Sequence, residues 1–204
     1  MSFKSALQLS LAFACLLSSH WLCCARLQDP IVHQALQEFR DKNYAAAERD
    51  FREIAKRAPS NIYAQFHLGQ TLFKEEQYGA ATTAFQKARD LEKEGKGLSM
   101  VQHRILVDQL VMAYGISGDL KTAHTLLDDA ITQDPEYPLN YYNLACAFAE
   151  DGDKNRVLAN LDLAFQRKAN VLKGEQMPDP RSDSSFQKYL RDPDFVSFMK
   201  KLVN

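Results

Sequence analysis

The sequence predicts an all-α fold in which pairs of helices stack into a solenoid, and three observations lead to that prediction. The chain repeats a pattern of aromatic and small residues, because YAAAERDF at 44–51 returns as YGAATTAF at 78–85, 34 residues later. Within the pattern, apolar residues recur every three or four positions, which places them on one face of a helix. Finally, eight Gly and seven Pro in 204 residues are few for a protein made of short strands and tight turns.

The N-terminal segment 1–25 predicts an export signal. Lys4 precedes an uncharged stretch that continues until Arg26, which is the layout of a secretory signal peptide. Ala25 is the favoured cleavage point. The alternatives are an uncleaved membrane anchor, since about 20 apolar residues can span a bilayer, and lipidation of Cys15. We therefore expect an exported protein, periplasmic or extracellular, that contacts a membrane only if the segment is retained or lipidated.

The cysteines provide no disulfide framework for the mature chain. Three of the four cysteines lie in the segment 1–25, so its removal leaves Cys146. One cysteine cannot form an internal disulfide. We expect Cys146 to be a small buried residue of a helix rather than a reactive thiol, because the nearest basic residue in the sequence is Lys154.

The repeat continues beyond the two segments that define it. Ala47 aligns with Ala81, and an insertion of eight residues near 94–103 separates Ala81 from its equivalent Ala123. A further step of 34 residues leads from Ala123 to Val157. Each copy is predicted to form two helices with a turn between them. The predicted array covers residues 26–169, with copies at about 29–60, 61–93, 104–137 and 138–171.

The small residues of each copy have a mechanical role in this prediction. A helix pair of about 34 residues cannot bury its own apolar face, so adjacent copies have to stack. Gly69, Ala81 and Ala88 would let one helix approach its neighbour closely. Tyr78 and Phe85 would fill the space around them.

These residues carry a family resemblance, since HLGQTLFKEEQYGAATTAFQKA at 67–88 resembles a tetratricopeptide repeat. It matches the Leu-Gly of the first helix, the Ala of the second helix, the aromatic residue four positions later and the next Ala. DQLVMAYGISGDLKTAHTLLDDAITQDP and NLACAFAEDGDKNRVLANLDLAF resemble the repeat as well, whereas the first copy has Gln34-Ala35 in place of Leu-Gly and no copy has the Trp of the motif. The resemblance implies a right-handed superhelical solenoid of about four helix pairs.

The C-terminal residues 172–204 are predicted to form a linker and a helical cap. SSFQKYLRDPDFVSFMKKL resembles the short helical segment that closes arrays of this family in bacterial proteins, and GEQMPDPRSDS before it has the composition of a loop. A terminal repeat needs a cover for its exposed apolar face. The apolar residues predicted to provide it are Phe186, Leu190, Phe195, Phe198 and Leu202.

The resemblance also implies which residues bind a partner. In this family the first helices of the pairs line a concave groove that holds a peptide or a helix of another protein. The alternative for the aromatic members, Phe66 above all, is packing between adjacent helices. Of the Lys/Asn/Arg clamp by which one subgroup holds a C-terminal carboxylate, only Asn143 is present, so that activity is not implied. The candidate groove residues are Tyr63, Phe66, His67, Gln70, Phe73, Asp108, Gln109, Met112, Tyr142 and Asn143, with Ile105, Gly115, Leu139, Cys146 and Ala149 at equivalent positions.

The sequence contains no recognisable catalytic or metal-binding arrangement. The histidines after position 25 lie in no HExxH or Cys-His spacing, and we interpret His67 and His124 as polar residues that face a partner or solvent. Asp151 and Asp153 resemble the start of a calcium loop, but Arg156 stands where that loop requires Gly. With 25 basic and 26 acidic residues, the chain lacks the charge of a general nucleic-acid binder. We expect no enzymatic activity, cofactor, metal or nucleic-acid partner.

Binding of another protein is therefore the predicted function. The chain is expected to act as an adaptor or assembly factor in the exported compartment, as a monomer or weak homo-oligomer. One alternative is a non-catalytic accessory subunit of an envelope enzyme complex. The other alternative is a structural spacer, for which a polar groove would be expected rather than one with Tyr63, Phe73 and Tyr142.

Overall fold

The structure, a computed structural model, describes residues 30–95 and 97–203, and every regular element in these ranges is helical. The predicted export signal at 1–25 lies outside the described residues. None of the described helices is long and apolar enough to cross a membrane. The helices are α1 (Pro30–Arg40), α2 (Tyr44–Arg57), α3 (Ile62–Lys74), α4 (Tyr78–Lys93), α5 (Met100–Ile116), α6 (Leu120–Gln133), α7 (Pro138–Asp151), α8 (Lys154–Gln166) and α9 (Pro193–Val203), with short 3₁₀ turns at Lys168–Asn170 and Ser184–Tyr189.

Helices α1 to α8 form four pairs that stack in chain order. Each helix packs on the next one along the chain, and α5 also contacts both α3 and α7, the first helices of the neighbouring pairs. Contacts therefore run mostly between neighbours in sequence, as expected for a solenoid of repeats. The predicted all-α repeat fold is confirmed.

Short polar segments define where the helices begin and end. At α5, Ser99 Oγ accepts from the backbone N–H of Gln102 at 3.3 Å, and Gln102 Oε1 accepts from the N–H of Ser99 at 3.0 Å, which is a reciprocal capping box. Gly152 ends α7 with a φ of 79°, a left-handed conformation that favours glycine. Asp153 then caps α8 by accepting from the N–H of Arg156 at 3.1 Å. The segment that resembles a calcium loop is a turn between two helices.

The close helix approach predicted at Gly69 is present. A Cβ atom at this position would lie only 2.5 Å from Cδ1 of Phe85, well inside van der Waals contact. Phe85 is fully buried on α4, as is Ala81 one turn earlier. Glycine thus lets α3 lie directly on the Phe85 ring.

The C-terminal segment packs against the last helix pair. Phe186 and Phe195 are buried in one apolar cluster with Val157 and Leu161 of α8. The ring of Phe186 meets that of Tyr142 edge-on, with 5.8 Å between the ring centroids. These contacts agree with the face predicted for the segment, and the capping role itself is tested by a truncation below.

Polar contacts also hold the C-terminal segment in place. Lys154 Nζ lies 2.9 Å from a carboxylate oxygen of Asp192 and 2.7 Å from one of Asp194. In the preceding linker, the Tyr137 hydroxyl donates to Glu175 Oε2 at 3.0 Å. This hydrogen bond ties the linker to Tyr137, the residue that caps the N-terminus of α7.

Candidate binding cleft

A cleft of about 570 Å³ opens between α5, α6, α7 and the C-terminal residues 178–185, and we call it the acidic cleft. Its apolar wall includes Met112 and Ile116, whose side chains are 44% and 55% exposed. Leu120 and Leu139 extend this wall on α6 and α7. Large exposed apolar side chains lining a concave surface are typical of a binding site.

Three carboxylates, Asp108, Glu150 and Asp183, line the same cleft. No Lys, Arg or His is among the described residues that line it. Within the described ranges, none of the three carboxylates forms an ion pair with another residue. The cleft therefore combines apolar surface with negative charge that no cation of the described chain neutralises.

Asp108 occupies the α5 side of the cleft and is held by α7. Asn143 Nδ2 donates to Asp108 Oδ1 at 2.7 Å. Burial raises the pKa of Asp108, the Asn143 hydrogen bond opposes that shift, and the nearby Glu175 carboxylate adds to it. A positive charge placed in the cleft would lower the free energy of the ionised Asp108 and so oppose this rise in pKa.

Asp183 occupies the opposite wall, which the C-terminal segment provides. Its Oδ2 accepts from the Tyr142 hydroxyl at 2.9 Å and lies 3.9 Å from Cys146 Sγ. Burial, and next the Asp183 carboxylate, raise the pKa of the Tyr142 hydroxyl and of the Cys146 thiol well above their ordinary values. Both groups stay protonated at neutral pH, so Cys146 does not offer a nucleophilic thiolate.

Four of the five predicted groove residues of α5 and α7 are brought together here, and Gln109 is the exception. Asp108, Met112, Tyr142 and Asn143 all line the acidic cleft. Tyr142, however, is only 2% exposed, because Phe186 and Asp183 cover it. Its side chain supports the wall and is not available to a partner in this structure. Of the residues at equivalent positions, Gly115, Leu139 and Cys146 line the cleft, whereas Ile105 and Ala149 do not.

The candidate residues of α3 lie elsewhere, since none of them lines the acidic cleft. Phe66 is 1% exposed and belongs to the core, so the alternative of packing between helices describes it correctly. His67 stacks on Phe51 of the preceding pair, with 5.4 Å between ring centroids, and its Nδ1 lies 3.0 Å from Gln70 Oε1. Burial lowers the pKa of His67. The expectation that His67 faces a partner or solvent is therefore wrong for most of its ring.

The other three predicted residues have mixed environments. Phe73 is half-buried and meets Tyr78 edge-on at 5.3 Å, which closes the hairpin between α3 and α4. Tyr63 is exposed, and its hydroxyl donates to the carbonyl of Gly97 at 3.4 Å. Gln109 has a buried Oε1 that no residue in the described ranges hydrogen-bonds. The predicted groove thus divides into the acidic cleft and a separate, largely packed surface on α3.

Sequence reasoning missed the contribution of the C-terminal segment to the cleft. Pro178, Asp183, Ser184 and Ser185 lie in or next to the linker, which has no apolar periodicity. The one local signal is that Asp183 precedes two serines, and it caps the 3₁₀ turn by accepting from the Ser185 N–H at 2.9 Å. That signal predicts a turn but not its return to α7.

A second cleft of about 610 Å³ lies between α4, the loop before α5, α5 and α6, and we call it the α4–α6 cleft. Among the described residues, its carboxylates are paired within the protein. Arg89 contacts Asp129 at 3.0 Å, His103 contacts Glu92 at 2.8 Å, and Arg104 contacts Asp134 at 2.7 Å. Within the described ranges, the α4–α6 cleft therefore has no carboxylate without a basic partner.

The described residues contain no group of three His, Cys, Asp or Glu side chains placed to hold a metal ion. Neither cleft brings together a nucleophile, a base and an orienting group of the kind that hydrolases use.

The fold occurs among solved structures, although no protein-family model and no curated protein sequence matches this chain. A crystal structure of MamA aligns with a TM-score of 0.63 at 19% identity over 83% of this chain and 92% of that one. A second MamA crystal structure gives a TM-score of 0.65 at 18% identity over 85% and 88%. MamA from Desulfovibrio magneticus RS-1, beginning at its residue 41, aligns with a TM-score of 0.63 at 16% identity over 85% of this chain and 91% of that one. At these identities the similarity establishes the shared fold.

Proposed function

We propose that this chain is an exported protein-interaction module that binds a segment of another protein in the acidic cleft, as an adaptor or assembly factor. The observation that carries the proposal is the exposure of Met112 and Ile116 on the wall of that cleft. Peptide-binding grooves obtain most of their affinity from a few apolar anchors that are desolvated on binding.

The size and openness of the cleft suit a peptide segment. Its volume of about 570 Å³ lies within the range of about 300–1,000 Å³ usual for ligand sites. Three helices and residues of the segment 178–185 form its walls. The cleft is open to solvent on its remaining side, where a chain segment can enter. The repeat fold supports the same function, because stacked helix pairs present extended surfaces on which partners bind.

The export part of the proposal rests on the sequence of residues 1–25. An uncharged stretch between Lys4 and Arg26 favours secretion, with cleavage after Ala25. Mass spectrometry of the protein purified from its native source tests this proposal. A protein found in the cytosol with Met1–Ala25 still attached would contradict it.

Binding in the cleft is tested with a displayed library of short random peptides sorted on the purified protein. We expect enriched peptides to bind the wild type and to lose about tenfold or more in affinity for Met112→Gln, which corresponds to about 1.4 kcal/mol and adds no charge to the cleft. Met100→Gln is the matched control, because Met100 is an α5 residue that is 68% exposed and lines the α4–α6 cleft instead of the acidic cleft. Peptides that bind both variants as well as the wild type would contradict the proposal.

A further inference from the structure

We propose that the acidic cleft selects a partner segment in which an Arg or Lys lies next to a large apolar side chain. This inference rests on the proposed function and adds the chemistry of the ligand. The basic group would bind beside Asp108, with Glu150 and Asp183 contributing to the negative potential around it. The apolar side chain would cover Met112 and Ile116.

The first support is the unbalanced charge of the cleft. Three carboxylates line it without a cation among the lining residues. An apolar segment lying over them would remove water from these groups without replacing its hydrogen bonds, which costs free energy. An acidic segment would add repulsion to that cost. A guanidinium or ammonium group offsets both effects, because it supplies charge and donors together.

The hydrogen bonds already made leave room for such a donor. Asp108 Oδ1 accepts from Asn143, whereas Oδ2 accepts from no residue in the described ranges. Asp108 lines the cleft and is only partly buried, so a donor in the cleft can approach its carboxylate. The bond from Asn143 is a neutral one, so it satisfies part of the carboxylate without neutralising its charge.

The contrast between the two clefts supports the same conclusion. In the α4–α6 cleft, Asp129 is already paired with Arg89 and Glu92 with His103. In the acidic cleft, the hydrogen bonds that the carboxylates receive from described residues come from neutral groups such as Asn143 and the Tyr142 hydroxyl. Within the described ranges, the acidic cleft is therefore the one of the two whose carboxylates lack a basic partner.

The arrangement along α5 predicts the spacing of the ligand groups. Asp108, Met112 and Ile116 follow one another at intervals of four residues and so share one face of the helix. Four residues of an α-helix rise about 6 Å. A partner in helical form would then carry its basic residue three or four positions from the apolar anchor, and an extended partner would carry it two positions away.

The test uses the protein produced from the full chain and the same peptide library. We expect enriched peptides to contain Arg or Lys at these spacings from Leu, Ile, Met or an aromatic residue. For a synthetic peptide from this pool, replacing the basic residue by Glu should weaken binding by tenfold or more, measured by calorimetry at low salt. The affinity of the basic form should fall as the salt concentration rises.

Substitutions in the cleft locate the contact. Asp108→Asn should weaken binding of the basic peptide several-fold and remove most of the difference in affinity between that peptide and its Glu form. Asp129→Asn in the α4–α6 cleft should leave the affinities of both peptides unchanged. Glu150→Gln is a second cleft variant at an exposed position, which keeps the test valid if Asp108→Asn fails to fold. Its effect should be smaller and in the same direction.

The outcomes separate this inference from the proposed function. Enriched peptides that depend on Met112 but show no preference for basic residues would overturn the charge inference and leave the binding function standing. Peptides whose binding does not depend on Met112 would overturn both. Self-association of the chain that Asp108→Asn or Glu150→Gln disrupts, seen by light scattering, would show that the occupant is a second copy and would also overturn the inference.

Discussion

Replacing Gly69 with Ala tests the packing on which the repeat fold depends. The added Cβ would lie 2.5 Å from Cδ1 and 2.6 Å from Cε1 of Phe85, whereas carbon atoms in contact are about 3.5–4.0 Å apart. Phe85 is completely buried, so its ring cannot move towards solvent without displacing neighbours. The helices α3 and α4 would have to separate, or the Phe85 ring would have to leave its position.

The magnitude follows from two opposing effects. Overpacking a core typically costs about 1–3 kcal/mol, while replacing Gly by Ala within a helix gains up to about 1 kcal/mol in helix propensity. Gly79→Ala is the matched control, because Gly79 lies on α4 with no heavy atom within 4 Å of its added Cβ. The difference in unfolding free energy between the two variants should therefore be about 1–3 kcal/mol, with Gly69→Ala the less stable.

Urea denaturation of both variants measures this difference, since the midpoint changes while the slope stays constant if only stability is affected. A difference of this size corresponds to a melting temperature lower by about 2–4 °C per kcal/mol. A Gly69→Ala protein as stable as Gly79→Ala would refute the argument. If the clash with Phe85 is the cause, Phe85→Leu should lower the unfolding free energy less when it is introduced into the Gly69→Ala protein than when it is introduced into the wild type.

Two further predictions concern the C-terminal segment and the charge of the cleft. A chain that ends after Asn170 should aggregate or melt at a lower temperature, because Tyr142, Val157 and Leu161 would lose the cover of Phe186 and Phe195. Calorimetry and light scattering measure both effects. A truncated chain that stays monomeric with an unchanged melting temperature would show that the segment is not a cap. Binding of a basic peptide should weaken as the pH falls, and the loss should begin above the ordinary pKa range of Asp. The reason is that burial and the nearby Glu175 carboxylate raise the pKa of Asp108 against the opposing hydrogen bond from Asn143. The test is to measure affinity against pH for the wild type and Asp108→Asn, and identical profiles would contradict the prediction.

The helical fold could be predicted because its signal is local and repeated. Gly69 and Ala81 are small and buried where helices pack closely, and Ala also occupies the Ala81 position in the first and third copies, as Ala47 and Ala123. The period in the sequence therefore reports the contact between helices directly. A resemblance in four copies then fixes the stacking order.

The candidate site could be predicted only in part. The resemblance to a tetratricopeptide repeat implied Asp108, Met112 and Asn143 as groove residues, and all three line the acidic cleft. It misjudged His67, because the ring that covers it, Phe51, comes from the preceding pair. Which polar residue of a helix face becomes covered depends on the side chains of its neighbours, and the repeat pattern of a single copy does not contain that information.

The wall formed by residues 178–185 could not be predicted for a different reason. The linker has no periodic pattern, and its position depends on individual tertiary contacts such as the hydrogen bond from Tyr142 to Asp183. Sequence features indicate where a chain turns, but they do not indicate which surface a non-helical segment then contacts. The position of such a segment depends on contacts between side chains that are distant in sequence.

The same C-terminal segment takes part in two properties of the molecule. Phe186 and Phe195 bury apolar surface of the last helix pair, and Asp183 contributes a carboxylate to the acidic cleft. Stability and the proposed ligand binding therefore involve the same stretch of chain. A truncation removes both contributions, so a loss of peptide binding in the truncated chain would not identify its cause. Point substitutions on α5 and α7, such as those of Asp108 and Glu150, leave the burial of Phe186 intact and separate the two effects.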